Sequence, residues 1–127
     1  MPCSARLLSA AVLACLAEGS PAQRQLVELT LPNDRPLVRQ LTAPPREFVE
    51  LCTRLRPGAV VEWAFESEAP VAFNTHFHEE GAVKYPESIS AVTAAKGRFA
   101  PGASHDYCWL WSNPSAKPVN IRMRITP

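Results

Sequence analysis

The sequence predicts an all-β protein, an antiparallel β-sandwich of about seven or eight strands, and three observations predict it. No stretch repeats its apolar residues at the 3.6-residue period of a helix. Short runs instead alternate apolar and polar residues by twos, the period of a strand with one wet face. The thirteen prolines fall almost wholly between these runs, where a missing N–H costs no ladder hydrogen bond.

The chain opens with "MPCSARLLSAAVLACLAEGSPAQ", in which Arg6 precedes an apolar run from Leu7 to Ala17 and small residues follow. That layout is a secretory signal peptide over residues 1–22, with cleavage after Ala22. The apolar run is about half the ~20 residues a spanning helix needs, so no transmembrane segment is expected in the mature chain. "VLAC" places Cys15 where a lipoprotein would be anchored, a lesser alternative because Leu occupies the second position. The remainder, 23–127, is read as one exported domain, periplasmic or secreted.

Within it, "RQLVELTL" (24–31) ends at Pro32, and "NDRP" turns the chain. "LVRQLT" (37–42) stops at Ala43-Pro44-Pro45. "REFVELCTRL" (46–55) and "AVVEWAFES" (59–67) flank "RPG", which predicts a hairpin between them. "VAFNTHFH" (71–78) follows "EAP", and 79–98 is the least regular part. "HDYCWLWSN" (105–113) and "PVNIRMRIT" (118–126) close the domain. Val61, Trp63 and Phe65 share one face, as do Ile121, Met123 and Ile125, with charged residues opposite. "YCWLW" is apolar on both faces and reads as a central strand.

Charge excludes one class of partner. The net charge is +1 and the charges are mixed, without the basic stripe of a nucleic-acid binder. Of the four cysteines, Cys3 and Cys15 leave with the leader. Cys52 and Cys108 then stand on two different strands of an exported domain, where an oxidising compartment favours a disulfide. Metal ligation by the same two thiols is the alternative.

The segments "PGAVVEWAFES", "APVAFNTHF" and "GASHDYCWLWSNPSAKPVNIRMRI" together resemble the GOLD-domain pattern, over roughly 56–126. That resemblance implies a jelly-roll-like sandwich that contacts an unidentified protein or lipid partner. The F-N-x-H-x-H and Y-C-x-x-W-x-N motifs also resemble those of a group of small exported bacterial proteins. The histidine pair and the cysteines depart from GOLD domains, and neither resemblance supplies a catalytic residue.

The chemistry concentrates in "FNTHFHEE" (73–80). On a strand, Val71, Phe73, Thr75 and Phe77 point one way and Ala72, Asn74, His76 and His78 the other. The two imidazoles then stand ~6–7 Å apart at Cβ, within reach of one ion at ~2.0–2.1 Å bonds. The plainer reading is a solvent face that carries two histidines. As a metal site it would take His76 and His78 with His105 as third ligand. Glu79, Glu80, Cys52, Cys108 and Met123 are further candidates, and Trp109 and Trp111 are core filling or a shield for Cu(I). Soft partners favour copper and carboxylates favour zinc; copper is preferred here. Asn113 before Pro114 reads as a turn residue.

An enzyme is not expected. "HFH" with "FAPGASH" is similar to the cupin arrangement of H-x-H and a later P-x-G-x-x-H, but the second element is one residue short and Ala82 replaces the expected Glu. There is no phosphate-cradling loop, nucleophile elbow or H-E-x-x-H. The function predicted is a small non-enzymatic binding protein, with metal, a protein or lipid partner, or cupin-like catalysis as its alternatives.

Overall fold

The computed structural model describes residues 25–28, 30–32 and 34–127, so the expected signal peptide, its cleavage site and Cys15 lie outside the described residues. Seven strands and no helix occur among the described residues: β1 (Gln25–Glu28), β2 (Leu37–Ala43), β3 (Phe48–Leu55), β4 (Val61–Glu79), β5 (Ala82–Phe99), β6 (His105–Ser112) and β7 (Val119–Thr126). No helix there is long and apolar enough to cross a membrane. Six strands follow one another in the order β1-β3-β6-β4-β7-β2, where seven or eight were expected, and β5 pairs with β4 off this path. All pairings are antiparallel except β1 with β3.

The expected pair of separate sheets is instead one continuous sheet curled into a half-barrel, and β4 explains why. The segments 59–67 and 71–78, expected as two strands, are one strand of 19 residues, with "EAP" inside it. Its first part pairs with β7, from Glu62 opposite Thr126 to Ser67 opposite Ile121. Its second part pairs with β6, from Ala72 opposite Ser112 to His76 opposite Cys108. Between them the β4–β5 register shifts, the four residues of β4 between Glu66 and Val71 facing the single residue of β5 between Ala94 and Val92. Extra residues of this kind bend a strand. The bend brings the two parts of the sheet face to face, which gives the fold its sandwich-like character.

Two further expectations fail for related reasons. β3 does not form a hairpin with β4; it pairs with β1 and β6. The stretch from 79 to 98, expected to be irregular, is mostly β5, an 18-residue strand. Glu79 and Ala82 close a two-residue hairpin loop in which Glu80 (φ 50°) and Gly81 (φ 77°) both take the left-handed conformation. That is the primed turn whose twist matches antiparallel strands. Pro86 and the run of alanines obscure the strand in the sequence. As an edge strand paired only with β4, β5 tolerates a proline.

The inward face alternates as expected. Val61, Trp63, Phe65, Val71, Phe73, Trp109, Trp111, Ile121, Met123 and Ile125 are all buried in one cluster. Phe65, from the first part of β4, lies 4.9 Å from Phe73 and 5.7 Å from Trp111, ring centre to ring centre, in the second part of the sheet. Aromatic pairs of this kind contribute about 0.5–1.5 kcal/mol each beyond their buried area, so they fasten the curl. Gly97, opposite Trp63, is required by this packing: a Cβ there would stand 2.5 Å from the Trp63 ring.

The β6–β7 connection is held by Asn113, which is buried rather than merely a turn residue. Its amide donates to the carbonyls of Ala43, Pro44 and Lys117, and its Oδ1 accepts from the backbone N–H and hydroxyl of Ser115. One side chain thereby ties the end of β2 to the loop that follows β6.

Candidate functional site

The outer face of the sheet, away from the core, gathers the residues with chemistry. Registers place them. Cys52 of β3 stands opposite Cys108 of β6, and the two are joined in a disulfide. Cys108 in turn stands opposite His76 of β4. The next row is Glu50 of β3, Leu110 of β6 and Asn74 of β4. Because side chains alternate by twos, Glu50, Asn74, Cys108 and His76 all project from the same side of three adjacent strands.

His76 is the centre of this face and is 6% exposed, although it points away from the core. Its Nδ1 lies 2.8 Å from Asn74 Oδ1, and its Nε2 lies 3.4 Å from Glu50 Oε2. An amide oxygen only accepts, so Nδ1 carries the proton and donates to it. Burial pushes the His76 pKa below the ordinary imidazole value, with Glu50 pulling it up and His78 adding to the downward push. The neutral imidazole with a lone pair on Nε2 is therefore the favoured form.

His78 and Tyr85 complete the outer face. The His76 and His78 rings are 5.6 Å apart, as their spacing on one strand face predicts. Tyr85 lies 6.0 Å from His76, ring to ring. It owes its position to a bulge: Thr75 pairs with Glu87 and Phe77 with Lys84, so one extra β5 residue opposes β4 there. Bulges commonly re-aim a side chain. Tyr85 is 57% exposed and Val83, opposite His78, is 39% exposed.

His105, the expected third ligand, lies on the other side of the sheet. Its ring stacks on Phe77 at 4.8 Å and its Nε2 meets Glu79 Oε2 at 3.0 Å. Phe77 projects oppositely to His76 and His78, so His105 does not join the pair. Phe77 and Glu79, with Phe99 and Tyr107, instead line a separate cleft of about 360 Å³ beside it. The soft side chains are not free to ligate either. Cys52 and Cys108 are bonded to each other, Met123 is 1% exposed in the core, and Trp109 and Trp111 are fully buried there. What favoured copper over zinc in the sequence, a thiolate or thioether beside the imidazoles, is absent from this face.

The structure adds Glu50, which sequence reasoning did not single out. Facing by twos puts it beside Cys52 within β3, but only the β3–β6–β4 order brings that row to His76. Among the described residues, the ligand atoms of Glu50, His76 and Cys108 lie within 4.8 Å of one another. Tyr85 belongs to β5, whose proline and alanines obscure the strand in the sequence.

No protein-family model matches the chain, and no curated protein matches it. Solved structures do resemble it. A mitogen from Yersinia pseudotuberculosis (YPM) aligns at a TM-score of 0.57 and 12% identity, over 73% of this chain and 86% of its own. PliG from Aeromonas hydrophila, a periplasmic inhibitor of g-type lysozyme, aligns at 0.57 and 10%, over 82% and 96%. The pre-peptidase C-terminal domain of a Bacillus anthracis collagenase aligns at 0.55 and 7%, over 84% and 98%. At such identities the likeness concerns the fold alone: this chain is similar to small β-rich proteins that share its architecture.

Proposed function

We propose that the protein is a small, exported, non-enzymatic binding module whose partner is another protein. The observation that carries this reading is the placement of Tyr85 and Val83. These two exposed large apolar side chains sit together on the outer face at the turn end of the β4–β5 hairpin, beside His78. Exposed tyrosine on a rigid strand is a favourable anchor for a partner, since it brings a large contact area at low entropy cost. The disulfide across β3 and β6 stiffens the same face.

Three further points support the reading. The signal-like leader and the disulfide accord with export. The fold is one that a periplasmic lysozyme inhibitor also uses. The interaction role implied by the GOLD resemblance points the same way.

The test compares wild type with a Tyr85→Ala/Val83→Ser double variant. Both positions are exposed, so the variant is expected to keep its stability within about 0.5 kcal/mol. Each protein is immobilised and offered a g-type lysozyme and a periplasmic extract. A protein retained by wild type and lost from the variant supports the reading. Equal retention by both would place the binding surface elsewhere.

A further inference from the structure

We propose that Glu50 and His76, joined by His78, bind one divalent cation of the zinc class on the outer face. The inference does not rest on the protein-binding reading, because Tyr85 and Val83, which carry that reading, supply no ligand. Three features of the geometry lead to it.

The first is a distance. His76 Nε2 and Glu50 Oε2 are 3.4 Å apart, which is longer than the ~2.7–3.2 Å of a direct N–H···O hydrogen bond. Two atoms each ~2.0–2.2 Å from a tetrahedral ion stand about 3.4 Å from each other. The pair is spaced like one edge of a coordination tetrahedron.

The second is the direction of the proton. Asn74 Oδ1 accepts from Nδ1 at 2.8 Å, so the neutral ring turns a lone pair on Nε2 toward the carboxylate. Two acceptors facing each other on a largely buried ring repel, and a cation between them converts the repulsion into two bonds. A metal-bound histidine ordinarily donates its other N–H to a neighbouring acceptor, which fixes the ring and its tautomer. Asn74 occupies that supporting position.

The third is the donor set. Cys108 Sγ is close by but bonded to Cys52, so no thiolate is available. Imidazole nitrogen and carboxylate oxygen suit zinc or another borderline divalent ion rather than Cu(I). His78 lies two residues along the same strand face with its ring 5.6 Å from that of His76. It is exposed, so its ring has room to turn toward the ion, and solvent fills the remaining position.

The experiment uses the disulfide-bonded protein. Zinc is titrated calorimetrically in competition with a chelator of known affinity, and the imidazole nitrogens are followed by long-range ¹H–¹⁵N spectra. The expected result is one zinc per chain, with the His76 Nε2 resonance displaced and Nδ1–H retained. Glu50→Gln and His76→Gln should each weaken binding by roughly 100-fold, and Asn74→Ala by about 10-fold, in the range typical of a supporting partner. His105→Ala should leave the affinity unchanged. The wild-type spectra identify the bound nitrogen directly, so the conclusion survives a poorly folded His76 variant. No zinc bound more tightly than about 0.1 mM would overturn the proposal. So would undiminished affinity in Glu50→Gln, or a loss caused by His105→Ala.

Discussion

The disulfide is the feature whose removal has the most calculable effect. Cys52 and Cys108 are 56 residues apart in sequence, so the bond closes a loop through more than a third of the chain. Chain-entropy reasoning gives about 14 cal/mol/K for such a loop, or about 4 kcal/mol at 25 °C, as the cost to the unfolded state. The two cysteines are directly paired across β3 and β6, and both are buried. Against a typical total of about 5–15 kcal/mol, this is a large share. The corresponding fall in melting temperature is about 15–30 °C for a domain of this size. The assay is urea unfolding followed by the fluorescence of Trp63, Trp109 and Trp111, all of them in the core. Oxidised protein, reduced protein and a Cys52→Ala/Cys108→Ala variant are compared. Agreement between the last two separates the lost cross-link from lost packing around the sulfurs. Reduction that lowers stability by less than about 1 kcal/mol would refute the loop-entropy argument for this fold.

Other outcomes follow from the same contacts. Asn113→Ala removes an amide that holds three carbonyls and accepts from Ser115, leaving buried polar groups unpaired; a loss of about 2–4 kcal/mol is expected by urea unfolding. Its stability matching wild type would show that the β6–β7 loop is held by other means. His76 predicts a pH dependence in metal-free solution. Its folded pKa lies below the unfolded value of 6.5 because burial outweighs the pull of Glu50, and His78 adds to the downward push, with Tyr85 the other ring against it. The unfolded chain therefore binds the proton more readily, so this contribution is intact above pH 6.5 and is lost as acidification carries the pH down through the folded pKa. Unfolding measured in chelator from pH 7.5 to 5 should show that slope, and His76→Gln should remove it; the same slope in both proteins would assign it to another group.

Much of the fold was legible because period-two facing is a local property. Val61, Trp63 and Phe65 announce a buried strand face in the sequence, and so do Ile121, Met123 and Ile125; each is in the core. The same rule correctly set His76 and His78 on the opposite face from Phe73 and Phe77. Export chemistry pointed to the Cys52–Cys108 bond, which register then made geometrically direct. Strand pairing was not legible. A proline-containing "EAP" reads as a break, yet Ser67–Pro70 continue β4, because bulges and a change of partner from β7 to β6 absorb the irregularity. β5 was lost for a similar reason: an edge strand needs neither strong β-formers nor a proline-free run when a long partner supplies the ladder. The site divided along the same line. Sequence alone determined that His76 and His78 share a strand face, since two residues on a strand cannot do otherwise. Only the tertiary structure decided that Glu50 stands beside them, that Asn74 fixes the His76 proton, that the thiols are occupied by each other, and that His105 belongs to the opposite face. Those facts depend on which strands are neighbours and in what register, and long-range pairing leaves no mark at the spacing of residues along the chain.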